Sequence, residues 1–184
     1  MGYKRLFIWV EGEDDIRFFN RIIKPVLEEK YNSVEVIKYA KLKGEYKDKF
    51  LKSIKAMNAG YIYVTDINDA PCITAKKQKI QNELKNIDED RIAVVIKEIE
   101  SWYLAGLDNK ESKNLRIRTL STTDNIVKKQ FNSLIPKKFY SRIDFMLEIL
   151  KYFSIKVAKQ KNRSFKYFIR KHNCKVSGNV GNGG

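Results

Sequence analysis

The sequence predicts an α/β fold of Rossmann-like type, with a parallel sheet of about four strands, helices on both faces and a helical region after it. Through the first 100 residues, short apolar runs such as "LFIWV" alternate with segments of helical periodicity. This alternation is typical of a parallel sheet that is covered on both faces. After "ESWYLAGLD" the alternation stops and helical patterns continue. A chain of 184 residues with 43% hydrophobic residues is long and apolar enough to bury a core.

The predicted elements follow one another in a regular order along the chain. Strands are predicted at residues 4–12, 33–40, 60–69 and 91–100. Helices are predicted between them at residues 14–30, 45–57 and 73–86, and residues 122–172 are predicted to be helical with a break near Pro136. We therefore divide the chain into an α/β domain (1–107), a basic helical region packed on it (108–172) and a flexible glycine-rich tail (173–184).

The positive charge of the chain is concentrated in its second half. Residues 1–100 carry 19 Lys and Arg against 17 Asp and Glu, whereas residues 101–184 carry 18 against 5. Such a localised excess favours binding to a polyanion, most simply DNA or RNA, over a merely solubilising surface. The candidate nucleic-acid-binding residues are Lys76, Lys77, Lys79, Lys137, Lys138, Arg142, Arg163, Lys166 and Arg170.

The cellular setting is predicted from what the sequence lacks. The longest apolar runs are far shorter than a membrane span, so no membrane association is expected. Its two cysteines have no framework spacing, which favours a reducing cytoplasm. No glycine-lysine loop of the Walker type is present, so any ATPase partner is expected to be a separate protein.

Acidic residues follow three of the four predicted strands. Glu11 ends the first strand, Asp66, Asn68 and Asp69 end the third, and Glu98 and Glu100 end the fourth. If the strand order is 2-1-3-4, these side chains converge on one edge of the sheet, where ligands bind in such folds. Several carboxylates in close proximity need a cation, and all-oxygen ligands suit Mg²⁺ or Mn²⁺.

A strand ending in Glu-Gly, then a helix, then a strand ending in an Asp-x-Asp type motif resembles the TOPRIM domain. The segment "VEGEDDIRFF" is similar to the opening of OLD-family nucleases, which also use the acid four residues after the glutamate, here Asp15. The segments "EIESWYLAGLD", "PKKFYSRIDFML" and "RSFKYFIRK" resemble a prokaryotic family of uncharacterised TOPRIM-like proteins. The first resemblance covers roughly residues 5–105, and the second covers most of the chain.

The resemblance implies a metal-dependent site that cleaves phosphodiesters. Glu11 would bind a metal or act as general acid or base, and Asp66 would be a main metal ligand. Asp15 with Glu100, or alternatively Glu98, would complete a second metal site. Either Lys97 or a lysine of the third predicted helix would neutralise the charge that develops on the phosphate.

One position departs from the family pattern and keeps other functions open. The second aspartate of the Asp-x-Asp motif is Asn68, followed by Asp69, so the site has one charge fewer at this position. A one-metal version of the site therefore remains an alternative. So does an inactive TOPRIM-like protein that only binds nucleic acid. A receiver-like signalling domain also places acids after its first and third strands, but it would leave the basic second half without a role.

Overall fold

The computed structural model describes residues 2–172, and it confirms the α/β fold with a parallel sheet of four strands. The strands are β1 (Arg5–Val10), β2 (Ser33–Lys38), β3 (Gly60–Asp66) and β4 (Ile92–Val95). Their order in the sheet is β2-β1-β3-β4, which confirms the predicted arrangement. The registers place Val10 of β1 beside Lys38 and Asp66 of β3 beside Val95, so the carboxyl ends of the strands lie along one edge.

Both faces of the sheet are buried, as the continuous apolar runs predict. Alternate residues of a strand point to opposite faces. In β1, Ile8 and Val10 belong to one hydrophobic cluster, while Phe7 and Trp9 belong to another on the opposite face. The strands therefore carry apolar side chains at nearly every position.

The helices connect the strands and then continue alone. Between the strands lie α1 (Glu13–Phe18), a π-helical segment (Phe19–Ile23), α2 (Lys24–Glu28), α3 (Gly44–Ala56) and α4 (Ile73–Glu83). After β4 come α5 (Glu100–Ala105), α6 (Asn109–Leu115), α7 (Lys128–Ser133), α8 (Arg142–Lys151), α9 (Ile155–Lys161) and α10 (Arg163–Lys171). Pro136 lies between α7 and α8, where the break was predicted. The predicted tail, residues 173–184, lies outside the described residues.

The predicted helix over residues 14–30 is interrupted. Residues Phe19–Ile23 form a π-helical turn immediately before α2, whose second residue is Pro25. Proline has no backbone N–H and its ring clashes with the preceding turn, so a regular ladder of hydrogen bonds cannot run through this position. The chain continues in the same direction because the wider turn accommodates the proline.

The fourth strand is shorter than predicted, and this changes where two acidic residues sit. β4 ends at Val95, and Lys97 has a left-handed backbone with φ of 65° that turns the chain away from the sheet. Glu98 therefore lies in a loop and Glu100 is the first residue of α5, so neither residue ends the strand as predicted. Both remain at the same edge of the sheet because the turn is tight.

The helical region completes the core of the α/β part. Phe131, Phe145 and Phe165 are fully buried in the same hydrophobic cluster as Ile8 of β1. Trp102 of α5 packs against Phe165, with the ring centroids 5.1 Å apart. None of the helices within residues 2–172 combines the length and the apolar character that crossing a membrane requires.

Candidate functional site

Acidic side chains line a cleft of about 240 Å³ at the carboxyl edge of the sheet. We call it the acidic cleft, and its acidic lining residues are Glu11, Glu13, Asp14, Asp15, Asp66, Glu98 and Glu100. Glu11 follows β1 directly and Asp66 is the last residue of β3, so the parallel strands bring these two side chains to one place. Five of the predicted metal ligands thus line the same cleft, while Asn68 and Asp69 lie outside it.

The first turn of α1 fixes the position of Asp15. Its Oδ2 accepts a hydrogen bond of 3.1 Å from the backbone N–H of Gly12, which precedes the helix. Asp15 is buried, and this burial raises the pKa of its carboxyl to about 7. Hydrogen bonds from backbone N–H groups act in the opposite direction, whereas the charges of Glu11 and Glu100 add to the increase.

Asp66 has the most perturbed carboxyl of the cleft. Its Oδ1 is sealed from solvent and has no hydrogen-bond partner among the described residues. Burial raises the pKa of Asp66 to about 9, and the nearby carboxylates of Asp15, Glu11, Glu100 and Glu98 contribute to the shift. A carboxyl in this state is protonated at neutral pH unless a cation enters the cleft.

Arg142 enters this cluster from α8, which the sequence did not reveal. Its guanidinium forms ion pairs with Asp14 of α1 and Glu100 of α5, both part-buried contacts. Burial raises the pKa of Glu100 in spite of this arginine. For Asp14, burial opposes ionisation, but hydrogen bonds from Arg142 and Arg17 outweigh it and lower the pKa. Arg142, predicted to bind nucleic acid, thus neutralises one side of the acidic cleft.

The residues of the acidic cleft fit a divalent cation in their chemistry. Their donors are all oxygen atoms, and the partnerless Oδ1 of Asp66 leaves a buried ligand atom free for a cation. Within residues 2–172, however, no group of three or more His, Cys, Asp and Glu side chains already has the spacing of a metal site. Glu11, Asp15 and Asp66 are the residues that would hold Mg²⁺ or Mn²⁺, with side chains arranged differently from those seen here.

A second hollow adjoins the acidic cleft and is lined by lysines. This basic groove, about 680 Å³ in volume, is bounded by the turns after β3 and β4 and by α4. Its charged and polar lining residues are Asn68, Asp69, Lys76, Lys79, Lys97 and Glu98. Glu98 lines both hollows, so the basic groove and the acidic cleft are adjacent.

The other predicted nucleic-acid-binding residues are dispersed over the surface. Lys77 lies 3.7 Å from Glu89, and Arg163 pairs with Asp124 at 2.7 Å. The ammonium of Lys138 donates to the backbone carbonyl of Asn114. The remaining three are exposed on the helical region: Lys137, Lys166 and Arg170. These residues line neither the acidic cleft nor the basic groove, whereas Lys76, Lys79 and Lys97 share the groove.

Comparisons of this chain with protein-family models, with curated proteins and with solved structures give no significant match. The function is therefore argued from the geometry and electrostatics of the acidic cleft and the basic groove.

Proposed function

We propose that this protein is a Mg²⁺- or Mn²⁺-dependent nuclease of the TOPRIM type that cleaves phosphodiester bonds in DNA or RNA. The observation that supports this most is the partnerless, sealed carboxylate oxygen of Asp66 among the other acids of the cleft. A buried carboxyl with a pKa raised to about 9 is costly for stability and is typical of a functional site. The adjoining basic groove offers a place for the negatively charged substrate.

In this proposal, Glu11, Asp15 and Asp66 hold the cation. The bound ion would lower the pKa of a coordinated water and stabilise the leaving oxygen. Asp66 and Asp15 carry raised pKa values, so each has a proton to release when the cation binds. Lys97, which is exposed and lines the basic groove, would add positive potential that stabilises the charge developing on the phosphate.

A cleavage assay with chosen metals tests the proposal. Supercoiled plasmid, single-stranded DNA and RNA would each be incubated with Mn²⁺, Mg²⁺ or chelator. We expect cleavage that depends on the metal and is lost in Glu11→Gln and Asp66→Asn. An exposed acid that lines neither hollow provides the matched control: Glu35 lies on β2, and Glu35→Gln should keep the wild-type cleavage. Cleavage that survives in Asp66→Asn, or that proceeds in the presence of chelator, would contradict the proposal.

A nucleic-acid-binding protein without nuclease activity is the second candidate. Two observations favour it: Asn68 is exposed in a left-handed turn outside the acidic cleft, and Arg142 already neutralises part of the cluster. In the same assay this candidate predicts binding that is sensitive to salt, with no cleavage by any metal. The receiver-like alternative is not proposed, because the sheet formed by residues 2–172 has four strands and the receiver fold needs a fifth.

The setting proposed for this activity follows from the sequence. We propose that the protein acts on nucleic acid in the cytoplasm, since its cysteines show no disulfide pattern. Any ATPase that works with this nuclease would be a separate protein, because the chain carries no Walker loop of its own. Copurification with a partner that hydrolyses nucleotides would support this, and full activity of the isolated chain would make such a partner unnecessary.

A further inference from the structure

The basic groove contains a buried lysine that has no partner. Lys76 of α4 is only 8% exposed, although it lines the groove. Among the described residues, no carboxylate or other acceptor pairs with its side chain. The ammonium itself is not sealed from solvent, so the aliphatic stem of Lys76 is covered while its charge reaches the groove. An anion that enters the groove would satisfy it.

The backbone at the entrance of the groove is also held in an unusual conformation. Lys97 has φ of 65° and Asn68 has φ of 49°, and both line the groove after neighbouring strands. Asparagine adopts this region readily, but lysine does so at a cost of about 1 kcal/mol. The strained turn points to a constraint other than stability, and such outliers cluster where ligands bind.

The chemistry of the groove selects one class of ligand. Lys76, Lys79 and Lys97 provide three cationic side chains, and the lining has no aromatic ring. Two carboxylates, Asp69 and Glu98, also line the groove, so its net charge remains positive. Lysine binds phosphate as a compact point charge with three donors, and it needs no planar partner. Because the groove lies next to the acidic cleft, with Glu98 in the lining of both, a single strand could place one phosphate in each.

We infer that the basic groove is a phosphate-binding subsite, in which Lys76, Lys79 and Lys97 hold a backbone phosphate that flanks the phosphate in the acidic cleft. This inference deepens the proposed function and rests on it for the identity of the strand. It makes Lys76 a binding residue on the floor of the subsite, with Lys97 and Lys79 at its rim. The exposed basic residues of the helical region would add general attraction outside the subsite.

Binding measured without catalysis separates this inference from the nuclease proposal. The probe is a fluorescein-labelled oligothymidylate of about twelve nucleotides, in buffer with excess chelator. Its dissociation constant is measured at several KCl concentrations for the wild type, Lys76→Met, Lys97→Gly and Lys52→Met. Lys52 is an exposed lysine of α3, so its variant removes the same charge far from the groove.

The logarithm of the association constant is plotted against the logarithm of the KCl concentration, which gives a negative slope. We expect the magnitude of this slope to decrease by about 0.7 in Lys76→Met and in Lys97→Gly, because each variant loses one phosphate contact. Lys52→Met should keep the wild-type slope. In urea denaturation, Lys76→Met should be about as stable as the wild type, because among the described residues the lysine side chain has no ion pair or hydrogen bond to lose. A lysine with a purely structural role would instead lose stability when replaced.

Two results would overturn the inference. The first is a Lys76→Met slope equal to that of Lys52→Met, and the second is a wild type that does not bind the oligonucleotide at low salt. Absence of cleavage with any metal would refute the nuclease proposal and leave these binding results standing. A Lys76→Met variant that binds the oligonucleotide normally but no longer cleaves nucleic acid would refute the subsite and leave the nuclease proposal in place.

Discussion

Replacing Asp66 by asparagine should stabilise the metal-free protein, and more so at high pH. The pKa of this carboxyl is raised to about 9 in the folded state by burial and by neighbouring carboxylates, against an ordinary value of 3.8. Between those two pH values the folded state binds more protons than the unfolded state. The sign of the linkage is therefore negative, and this residue makes the protein less stable as the pH rises. Asparagine cannot ionise, so Asp66→Asn removes the effect.

The size of the effect follows from the pKa shift. Each pH unit inside the window is worth about 1.4 kcal/mol, so the interval from pH 5 to pH 8 gives a ceiling of about 4 kcal/mol. Asp66 is partly exposed as a residue, although its Oδ1 is sealed, and solvent screens part of the interaction. We expect the stabilisation by Asp66→Asn to grow by roughly 2 kcal/mol over this interval.

Urea denaturation in chelator at pH 5 and pH 8 measures this difference. The quantity of interest is the free energy of unfolding of Asp66→Asn minus that of the wild type at each pH. Any constant cost of the new amide cancels between the two pH values. Asp69→Asn, an exposed acid in the next turn, is the control and should show no such trend. A difference for Asp66→Asn that does not change with pH would refute the reasoning.

Three further substitutions test other parts of the structure. Arg142→Met leaves Glu100 without its cation and Asp14 with Arg17 alone, and it should cost about 2 kcal/mol in urea denaturation at pH 7, whereas an unchanged stability would show the ion pairs to be unimportant. Lys97→Gly should raise the free energy of unfolding by about 1 kcal/mol, because glycine relieves the left-handed strain, and a loss of stability would contradict this. Ser164→Ala removes the acceptor, at 2.8 Å, for the indole N–H of Trp102 and should cost about 1–3 kcal/mol, with Ser164→Cys less harmful.

The fold was predictable because its signals are local. An apolar run such as "LFIWV" indicates a strand wherever it lies, and the alternation of strands with helices implies a parallel sheet. The position of Glu11 and Asp66 in one cleft could be predicted from a general rule, because the carboxyl ends of parallel strands share one edge of the sheet. The interruption before Pro25 was visible in principle, because proline limits the hydrogen bonds of a helix.

Other features of the site depend on contacts that no local pattern encodes. Arg142 reaches Glu100 from 42 residues away, and this contact requires the packing of α8 beside α5. The end of β4 is set by the left-handed backbone of Lys97, a residue type with no preference for that conformation. The burial of Lys76 likewise comes from the way α4 sits on the sheet, so the sequence alone showed only one more lysine in a basic helix.

The core shared by the α/β part and the helical region has a consequence for protein synthesis. Phe18 and Trp102 are buried partly by Phe165, which lies 63 residues after Trp102 in the chain. At a translation rate of 5–20 residues per second, the ribosome needs about 3–13 s to add those residues. During this interval one face of the emerging sheet is covered only in part, by residues such as Phe19 and Ile23 that precede β2, and the rest of its apolar surface is exposed. The apolar core is therefore fully buried only after the last helices have been synthesised, and until then the nascent chain is more prone to aggregation.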